Sequence, residues 1–392
     1  MPAVLDVIGG SPMLGGFLPM LNRLGQSVPP FLASDWVRGA RRKKWIAAGS
    51  CFTMAGCFLT FSLGWHLTDG KATWYLPVLF LIVYAIFFTA TGINQLVVNT
   101  LIGKLIRVRR RGVFSLLGTG IGAVLAVMIA YWLMNRWLPA GDVDTSEYRF
   151  DWIFGFTSTM FIIAGVVAAL WIEQPDDDPS PRRGPLQLLT ASLKTLREDR
   201  NFLLLAVIAG LFGICLTIFP HYQRLGRERF DLDLTALIPW VLAQNIGAAL
   251  FSIPAGWVAD RLGVRVVLRT MLFVVCVIPL AALALVLQPE AGKIWYTLVF
   301  GMLGITPVTM RMFNYYTLEI TDSANHPKYL STLSLAMAAP PFFLSVFFGW
   351  LVDQISFEFV FLLVVFCLLI GWVLTFWLQE PRDQNGKDPP EP

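Results

Sequence analysis

Charged side chains are scarce in this sequence. Aspartate, glutamate, lysine and arginine make up 14% of the 392 residues, while hydrophobic residues make up 56%. A soluble globular domain carries about 25% charged residues, so the composition excludes that class. The five cysteines all fall inside apolar runs, and only three histidines are present. Because neither residue type has the spacing of a disulfide framework or a metal site, we predict no metal and no cofactor.

Catalytic constellations are missing as well. No apolar run contains paired carboxylates or a Ser/His/Asp set, and His66, His221 and His326 lie at the ends of runs or between them. Each histidine is therefore predicted to be solvated, and the chain is predicted not to be an enzyme. The net charge of +4 is spread over separate polar segments, which does not favour a nucleic-acid partner.

Long apolar runs are what the sequence does contain. A helix needs about 20 apolar residues to cross a bilayer, and eleven runs approach or exceed that length. The predicted fold class is all-α, a polytopic membrane protein with about 11 transmembrane helices, five before and six after the longest polar stretch. The runs cover 12–34, 45–66, 74–100, 112–136, 152–172, 202–220, 235–258, 270–288, 295–318, 330–352 and 357–379.

The distribution of lysine and arginine orients these runs. If segment 35–44 is cytoplasmic, the cytoplasmic segments hold 21 basic residues and the external segments hold 7. Cytoplasmic loops of membrane proteins are enriched in Lys and Arg. The bias therefore predicts a multi-pass protein of the plasma membrane, the inner membrane of a bacterium, with a cytoplasmic C-terminus. We expect a monomer in the lipid bilayer.

The longest polar stretch separates two helix bundles. The predicted segments are an N-terminal bundle over 1–172, a cytoplasmic linker over 173–201, a C-terminal bundle over 202–379 and a disordered cytoplasmic tail over 380–392.

The linker contains leucines at helical spacing. Leu186, Leu189, Leu193 and Leu196 predict an amphipathic helix over 185–199. Such a helix lies on the inner leaflet, or it is simply a solvated linker helix.

The two halves of the chain resemble each other as repeats. Residues 22–25 parallel residues 244–247, and both stretches precede a proline and a basic turn. Gly92 in the third run likewise parallels Gly304 in the ninth. Parallel repeats of this kind are a common plan for membrane transporters.

A polar stretch between the seventh and eighth runs has a distinctive spacing. It reads Gly256-Trp-Val-Ala-Asp260-Arg261-Leu-Gly263-Val-Arg265 and forms a short bridge between two long runs. The pattern resembles the cytoplasmic loop signature of the major facilitator superfamily of membrane transporters. The alternative is an ordinary short cytoplasmic turn that collects Arg, Gly and Asp. A degraded copy follows the first run over 31–44.

The resemblance implies a fold, an activity and a gate. Members of the superfamily consist of two six-helix repeats and work by alternating access around a site between them. On that plan the first half of this chain lacks its first helix, and the runs from 12–34 to 152–172 correspond to helices two to six. The carboxylate of Asp260 would lie near the cytoplasmic start of the run at Gly112 and would hold the cytoplasmic gate closed.

Two arginines lie inside predicted spans. Arg23 sits halfway along the first run, and Arg311 lies about 10 Å from the inner end of the ninth at 1.5 Å per residue. A charge in the middle of a spanning helix costs about 2.5–3.5 kcal/mol, which implies a partner, a water-filled cavity or an anionic ligand. The alternatives are snorkelling to the headgroups and, for Arg23, an interfacial position. No Asp or Glu lies in the middle of any run, so an anionic or polar organic solute is favoured.

Uncharged polar side chains complete the predicted site. In the superfamily, helices one, four, seven and ten line the cavity, and the resemblance places Asn99 and its repeat equivalent Arg311 on two of them. The alternative for each amide is an interhelical hydrogen bond, worth about 0.6 kcal/mol in membranes. The predicted substrate-path residues are Arg23, Asn94, Asn99, Gln244, Asn245, Arg311 and Asn314, and the predicted gating-loop residues are Gly256, Asp260, Arg261, Gly263 and Arg265.

We therefore expect a secondary transporter that moves a small polar or anionic organic solute by alternating access. The alternative is a non-transporting descendant that serves as a membrane sensor or assembly factor. The missing first helix favours this alternative, whereas the intact loop signature argues against it.

Overall fold

The computed structural model describes residues 12–68, 75–107, 149–176, 184–232 and 237–379, together with isolated positions between 110 and 132. All regular structure in these ranges is helical. Two compact units are present, and one boundary between them falls between Leu189 and Thr190, inside the predicted linker. Most of the predicted span 112–136 and all of the predicted tail 380–392 lie outside the described residues.

The first unit contains four long helices. They are α1 (Pro12–Arg38), α2 (Lys44–Thr68), α3 (Leu76–Leu105) and α4 (Phe150–Leu170). A shorter helix, α5 (Pro185–Glu198), follows where the leucine spacing predicts one and crosses the unit boundary.

The second unit contains the remaining described helices. They are α6 (Arg200–Cys215), α7 (Phe219–Phe230), α8 (Leu237–Leu262), α9 (Val264–Val286), α10 (Pro289–Leu303), α11 (Ile305–Glu319), α12 (His326–Gln354) and α13 (Phe357–Leu374). A 3₁₀ turn over Leu216–Ile218 joins α6 to α7, and another over Thr375–Trp377 extends α13.

Seven of these helical segments are long and apolar enough to cross a membrane, and α12 makes an eighth if its bent halves form one span. The prediction of an all-α membrane protein is thus confirmed, while the predicted count of eleven spans stays a prediction, because most of the span 112–136 lies outside the described residues. Two predicted spans are not among these segments. Helix α1 is too polar around Arg23, and the ninth predicted span is divided into α10 and α11 at Gly304.

Lipid-facing stripes are recognisable on the outer helices. The exposed large side chains of α13 are apolar and follow a helical period. They are Phe359, Leu362, Phe366, Leu369, Ile370, Val373, Phe376 and Trp377. A continuous exposed apolar stripe of this kind marks a membrane-facing surface.

Glycines allow two close helix crossings, one in each unit. A Cβ on Gly92 of α3 would lie 2.5 Å from the carbonyl oxygen of Gly25 in α1. A Cβ on Gly304 would lie 2.4 Å from the carbonyl oxygen of Gln244, and one on Gly247 would lie 1.9 Å from that of Gly301. Small residues let membrane helices approach this closely. The glycines that the repeat makes equivalent therefore occupy equivalent crossings.

The helix pairs of the two units also correspond. In the first unit α1 packs on α3, α2 on α4, and α2 on α3. In the second unit α8 packs on α10, α9 on α13, and α9 on α10. The repeat inferred from short sequence parallels thus extends to the packing within each unit.

One local prediction is wrong. His326 was expected to be solvated, but it is 2% exposed at the start of α12. Its Nε2 atom lies 3.0 Å from the carbonyl oxygen of Thr321, because the turn before α12 folds back over the first helical residue.

Candidate substrate-binding site

Helix α11 is surrounded by protein along its whole length. None of its residues is exposed, and the less buried positions before the terminal Glu319 fall on one face, since they are spaced by three and four residues. Those half-buried residues are Pro307, Met310, Arg311 and Asn314. Because α11 has no exposed apolar stripe, Arg311 does not lie on a lipid-facing surface.

Arg311 carries a charge that no described carboxylate neutralises. Across the described ranges, its guanidinium donates no hydrogen bond and forms no ion pair with a carboxylate, and the structure gives it one electrostatic interaction, with Tyr315. A half-buried cation loses part of its hydration, and no hydrogen bond from a described residue replaces it. The arrangement can therefore bind an anionic group.

The equivalent face of α3 is uncharged. Gln95 is exposed, while Val98 and Asn99 are half-buried, and these positions match Pro307, Met310 and Arg311 of α11 in the repeat. The Asn99 amide makes no hydrogen bond to any other described residue. It is available as a neutral donor.

Asn94 has a different environment. Its amide nitrogen donates to the Ser50 hydroxyl at 2.7 Å and lies 3.3 Å from the Ala47 carbonyl oxygen, both on α2. This residue therefore holds α3 against α2. The contacts favour the interhelical alternative for Asn94, although its place on the substrate path stays a prediction.

The other predicted site residues lie on α8 and α1. Gln244 is half-buried on α8, which packs against α11, whereas Asn245 is exposed and donates to the Val241 carbonyl oxygen at 2.8 Å. Arg23 is half-buried in α1 and interacts with a neighbouring group, so it is not an isolated charge.

A polar cluster next to Arg23 was not singled out in the sequence. The Gln26 amide donates to Asn22 at 2.8 Å, and Asn22 also hydrogen-bonds with the hydroxyl of Tyr84 on α3. These contacts join α1 to α3 close to the Gly25 crossing.

The predicted gating loop is mostly helical, which corrects the expected polar bridge. Helix α8 continues to Leu262 and α9 begins at Val264, so Gly263 is the single non-helical residue between them. Gly263 has φ 94° and ψ 154°, a conformation open essentially to glycine alone. The glycine of the signature is therefore required by the backbone of the turn.

The basic residues of this region interact with nearby helix ends. The Arg261 guanidinium lies 4.1 Å from the ring centre of Trp257. On α9, Arg265 donates to the Leu378 carbonyl oxygen at 2.9 Å, and Arg269 donates to the Thr375 carbonyl oxygen at 3.1 Å. Arg265 and Arg269 thus cap the C-terminal end of α13, where carbonyl groups lack helical partners.

Two further residues of the signature lie within α8. Gly256 is buried and Asp260 is half-buried. Gly112, the predicted neighbour of Asp260, lies outside the described residues, so the gate stays a prediction.

A buried ion cluster was missed in the sequence. The Glu173 side chain is completely buried after α4 and accepts hydrogen bonds from the Lys43 amide at 3.1 Å, the Lys44 amide at 2.8 Å and Lys104 Nζ at 3.0 Å. Asp176 pairs with both Lys43 and Lys104. The cluster joins the start of α2, the end of α3 and the segment after α4.

The charges of this cluster stabilise each other. Burial alone would raise the pKa of the Asp176 carboxyl, but hydrogen bonds and attraction from Lys43 and Lys104 outweigh it and lower that pKa below its ordinary value. Glu173 in addition occupies the N-terminus of α2, where the helix dipole favours negative charge.

A repeated sequence could have revealed this cluster. Residues 171–175 read Trp-Ile-Glu-Gln-Pro, and residues 377–381 read Trp-Leu-Gln-Glu-Pro. At the second copy the Tyr316 hydroxyl donates to the Gln379 carbonyl oxygen at 2.5 Å. Tyr316 ends α11 much as Lys104 ends α3, so the second unit has a neutral version of the same junction.

Comparisons with known proteins agree with this architecture. The family model described as Major Facilitator Superfamily matches residues 1–244 and 235–392. A comparison with curated proteins found no matching sequence. Within the described ranges, no group of three His, Cys, Asp or Glu side chains could hold a metal ion.

Solved transporter structures share the fold. The E. coli fucose:proton symporter FucP has a TM-score of 0.71 at 14% identity, over 96% of this chain and 93% of that one. The proton:xylose symporter XylE has a TM-score of 0.69 at 14% identity, over 97% and 91%. The human organic anion transporter MFSD10 has a TM-score of 0.58 at 15% identity, over 95% and 88%.

Proposed function

Because this chain belongs to the major facilitator superfamily, we propose that it is a secondary transporter that moves a small anionic or polar organic solute by alternating access. Arg311 binds the anionic group of the solute in this proposal. Members of the family and the similar solved structures are membrane transporters rather than enzymes, and the apolar helices indicate a multi-pass protein of the bilayer.

The observation that carries the proposal is the environment of the Arg311 side chain. It is a half-buried cation on a helix with no lipid-facing stripe, and it has no ion pair within the described residues. The insertion cost of about 2.5–3.5 kcal/mol is recovered when an anion binds. A guanidinium also offers two parallel N–H donors that match a carboxylate or phosphate, which a lysine cannot.

Neutral donors lie on α11 itself and at the equivalent position of α3. Asn314 lies three residues after Arg311 and has no hydrogen bond to another described residue. Asn99 is the repeat equivalent of Arg311 and supplies an uncharged amide in the first unit. We propose that these amides bind hydroxyl or carbonyl groups of the solute.

The similar structures include transporters of sugars and a transporter of organic anions. Two are proton symporters of the sugars fucose and xylose, and one is an organic anion transporter. A test must therefore separate anionic from neutral solutes.

Thermal unfolding of the purified protein with and without each solute distinguishes anionic from neutral ligands. The test solutes are matched pairs, such as a sugar acid and its neutral sugar, together with a quaternary amine. A ligand present at 100 times its Kd stabilises the folded state by about 2.7 kcal/mol. We expect stabilisation by anionic members of the pairs, a weaker effect in Arg311→Lys and none in Arg311→Gln.

The matched control removes a different arginine of the second unit. Arg229 pairs with Glu358 at 2.8 Å and is about half exposed, so Arg229→Gln should keep ligand stabilisation. Equal stabilisation of wild type and Arg311→Gln by an anion, or stabilisation by neutral sugars alone, would refute the assignment of Arg311.

The proposal keeps the orientation predicted from the basic residues. The helix ends that this bias assigns to the cytoplasm meet in the Glu173 cluster, which supports a common side for the end of α3 and the start of α2. The C-terminus is cytoplasmic in the same arrangement.

A further inference from the structure

Helix α5 has three distinct faces. At 100° per residue, the buried residues Leu188, Ser192 and Thr195 fall within about 60° of each other. The exposed leucines Leu186, Leu189 and Leu193 form a second group, also within about 60°. Polar residues occupy the third sector; they are Gln187, Thr190, Lys194, Arg197 and Glu198.

The buried face is attached to the second unit. The Thr332 hydroxyl donates to the Ser192 hydroxyl at 3.0 Å, and both residues are buried. Thr332 lies six residues after the start of α12, which places this contact about 9 Å along that helix. Since α12 is a candidate span, α5 lies beside the first turns of a membrane helix.

The residues that follow α5 also place its end close to a membrane-spanning helix. Asp199 is the single residue between α5 and α6, and its carboxylate caps α6 by accepting from the Phe202 amide at 2.9 Å. The segment Arg200–Phe230 is a candidate span. The end of α5 is therefore held at the membrane surface.

We propose that the face formed by Leu186, Leu189 and Leu193 inserts into the inner leaflet of the bilayer. A solvated linker helix has no reason to group three exposed leucines between its packed face and its polar face. An interfacial helix needs this arrangement, because it meets protein on one side, acyl chains below and water above.

The charges next to the leucine face fit anionic headgroups. Lys194 pairs with Glu198 at 3.6 Å, whereas Arg197 and Arg200 are exposed at the end of the helix. Basic residues beside an interfacial helix are attracted to anionic lipid headgroups. The occupant we assign is thus the bilayer itself, with anionic lipid enriched at Arg197.

Nitroxide labels on the full-length protein test this proposal. Single cysteines replace Leu189 and Leu193 on the leucine face, with Gln187→Cys and Thr190→Cys as matched controls on the polar face. The native cysteines are replaced by alanine, and the protein is reconstituted in vesicles of phosphatidylcholine and phosphatidylglycerol. Molecular oxygen reports the bilayer and a water-soluble nickel chelate reports the aqueous phase.

We expect an oxygen-to-nickel accessibility ratio several-fold higher at the two leucine positions than at the two controls. Nickel accessibility at Leu189 and Leu193 equal to the controls would overturn the proposal, because these vesicles contain no protein partner that could cover the face. Removal of phosphatidylglycerol should lower the ratio at both positions. An unchanged ratio would overturn the role assigned to the basic residues.

Discussion

Replacement of Gly247 by alanine should destabilise the second unit through one defined contact. The added Cβ would lie 1.9 Å from the carbonyl oxygen of Gly301 and 2.8 Å from its carbonyl carbon. Real Cβ contacts do not fall below 3.0 Å, so α8 and α10 must separate by about 1 Å. Both groups belong to helix backbones, and no side-chain rotation can relieve the overlap.

The size of the effect follows from two opposing terms. Overpacking of a close contact costs about 1–3 kcal/mol, and this overlap belongs at the upper end. Alanine improves helix propensity by about 1 kcal/mol over glycine. The net loss is then about 2 kcal/mol, which lowers Tm by about 4–8 °C for a domain of 150–250 residues.

The assay is thermal unfolding of the purified protein in detergent, followed by tryptophan fluorescence. Gly349→Ala on α12 is the matched control in the same unit, because a Cβ there meets nothing within 4 Å. Gly92→Ala repeats the experiment at the equivalent crossing in the first unit. If Gly247→Ala melts at or above the wild-type temperature, the close approach of α8 and α10 is wrong.

Three more predictions concern the ion cluster, the turn and the gate. Because the pKa of Asp176 is lowered, its stabilisation is complete above the unfolded value of about 3.9 and is lost as the pH falls through the lower folded value. The wild-type Tm should therefore fall more steeply than that of Asp176→Asn below about pH 4, and parallel curves would contradict the ion pairs. Gly263→Ala should cost about 1–3 kcal/mol in thermal unfolding because only glycine readily adopts its backbone angles, so an unchanged Tm would refute that reading. Asp260→Asn should increase labelling of an engineered cysteine from the cytoplasmic side, and unchanged labelling would show that Asp260 is not a gate residue.

Local patterns predicted the helices well but not their ends. An apolar run reveals only the part of a helix that lies in lipid. The sixth predicted span ended at residue 220, whereas the polar helix α7 continues ten residues further, to Phe230. The polar signature over 256–269 was expected to be a bridge for the same reason. Hydropathy cannot show that Arg261 and Arg265 belong to helices that continue beyond the membrane.

Partners distant in sequence could not be predicted. Glu173 follows an apolar run by one residue and therefore resembles an ordinary loop carboxylate, yet its donors at Lys43 and Lys44 lie about 130 residues earlier. Asn94 likewise has its partner Ser50 on another helix. The predicted equivalence of Gly92 and Gly304 is confirmed, because a glycine is needed wherever two helix backbones cross closely, whatever the substrate.

Counterflow into proteoliposomes tests the central claim most directly. Vesicles loaded with an unlabelled anionic solute that stabilises the purified protein are diluted into the same labelled solute. A secondary transporter should accumulate label transiently, and Arg311→Gln should reduce the accumulation to that of protein-free vesicles while Arg229→Gln retains it. Binding of the solute by wild type without any flux above protein-free vesicles would contradict transport and would favour the alternative of a non-transporting sensor or assembly factor.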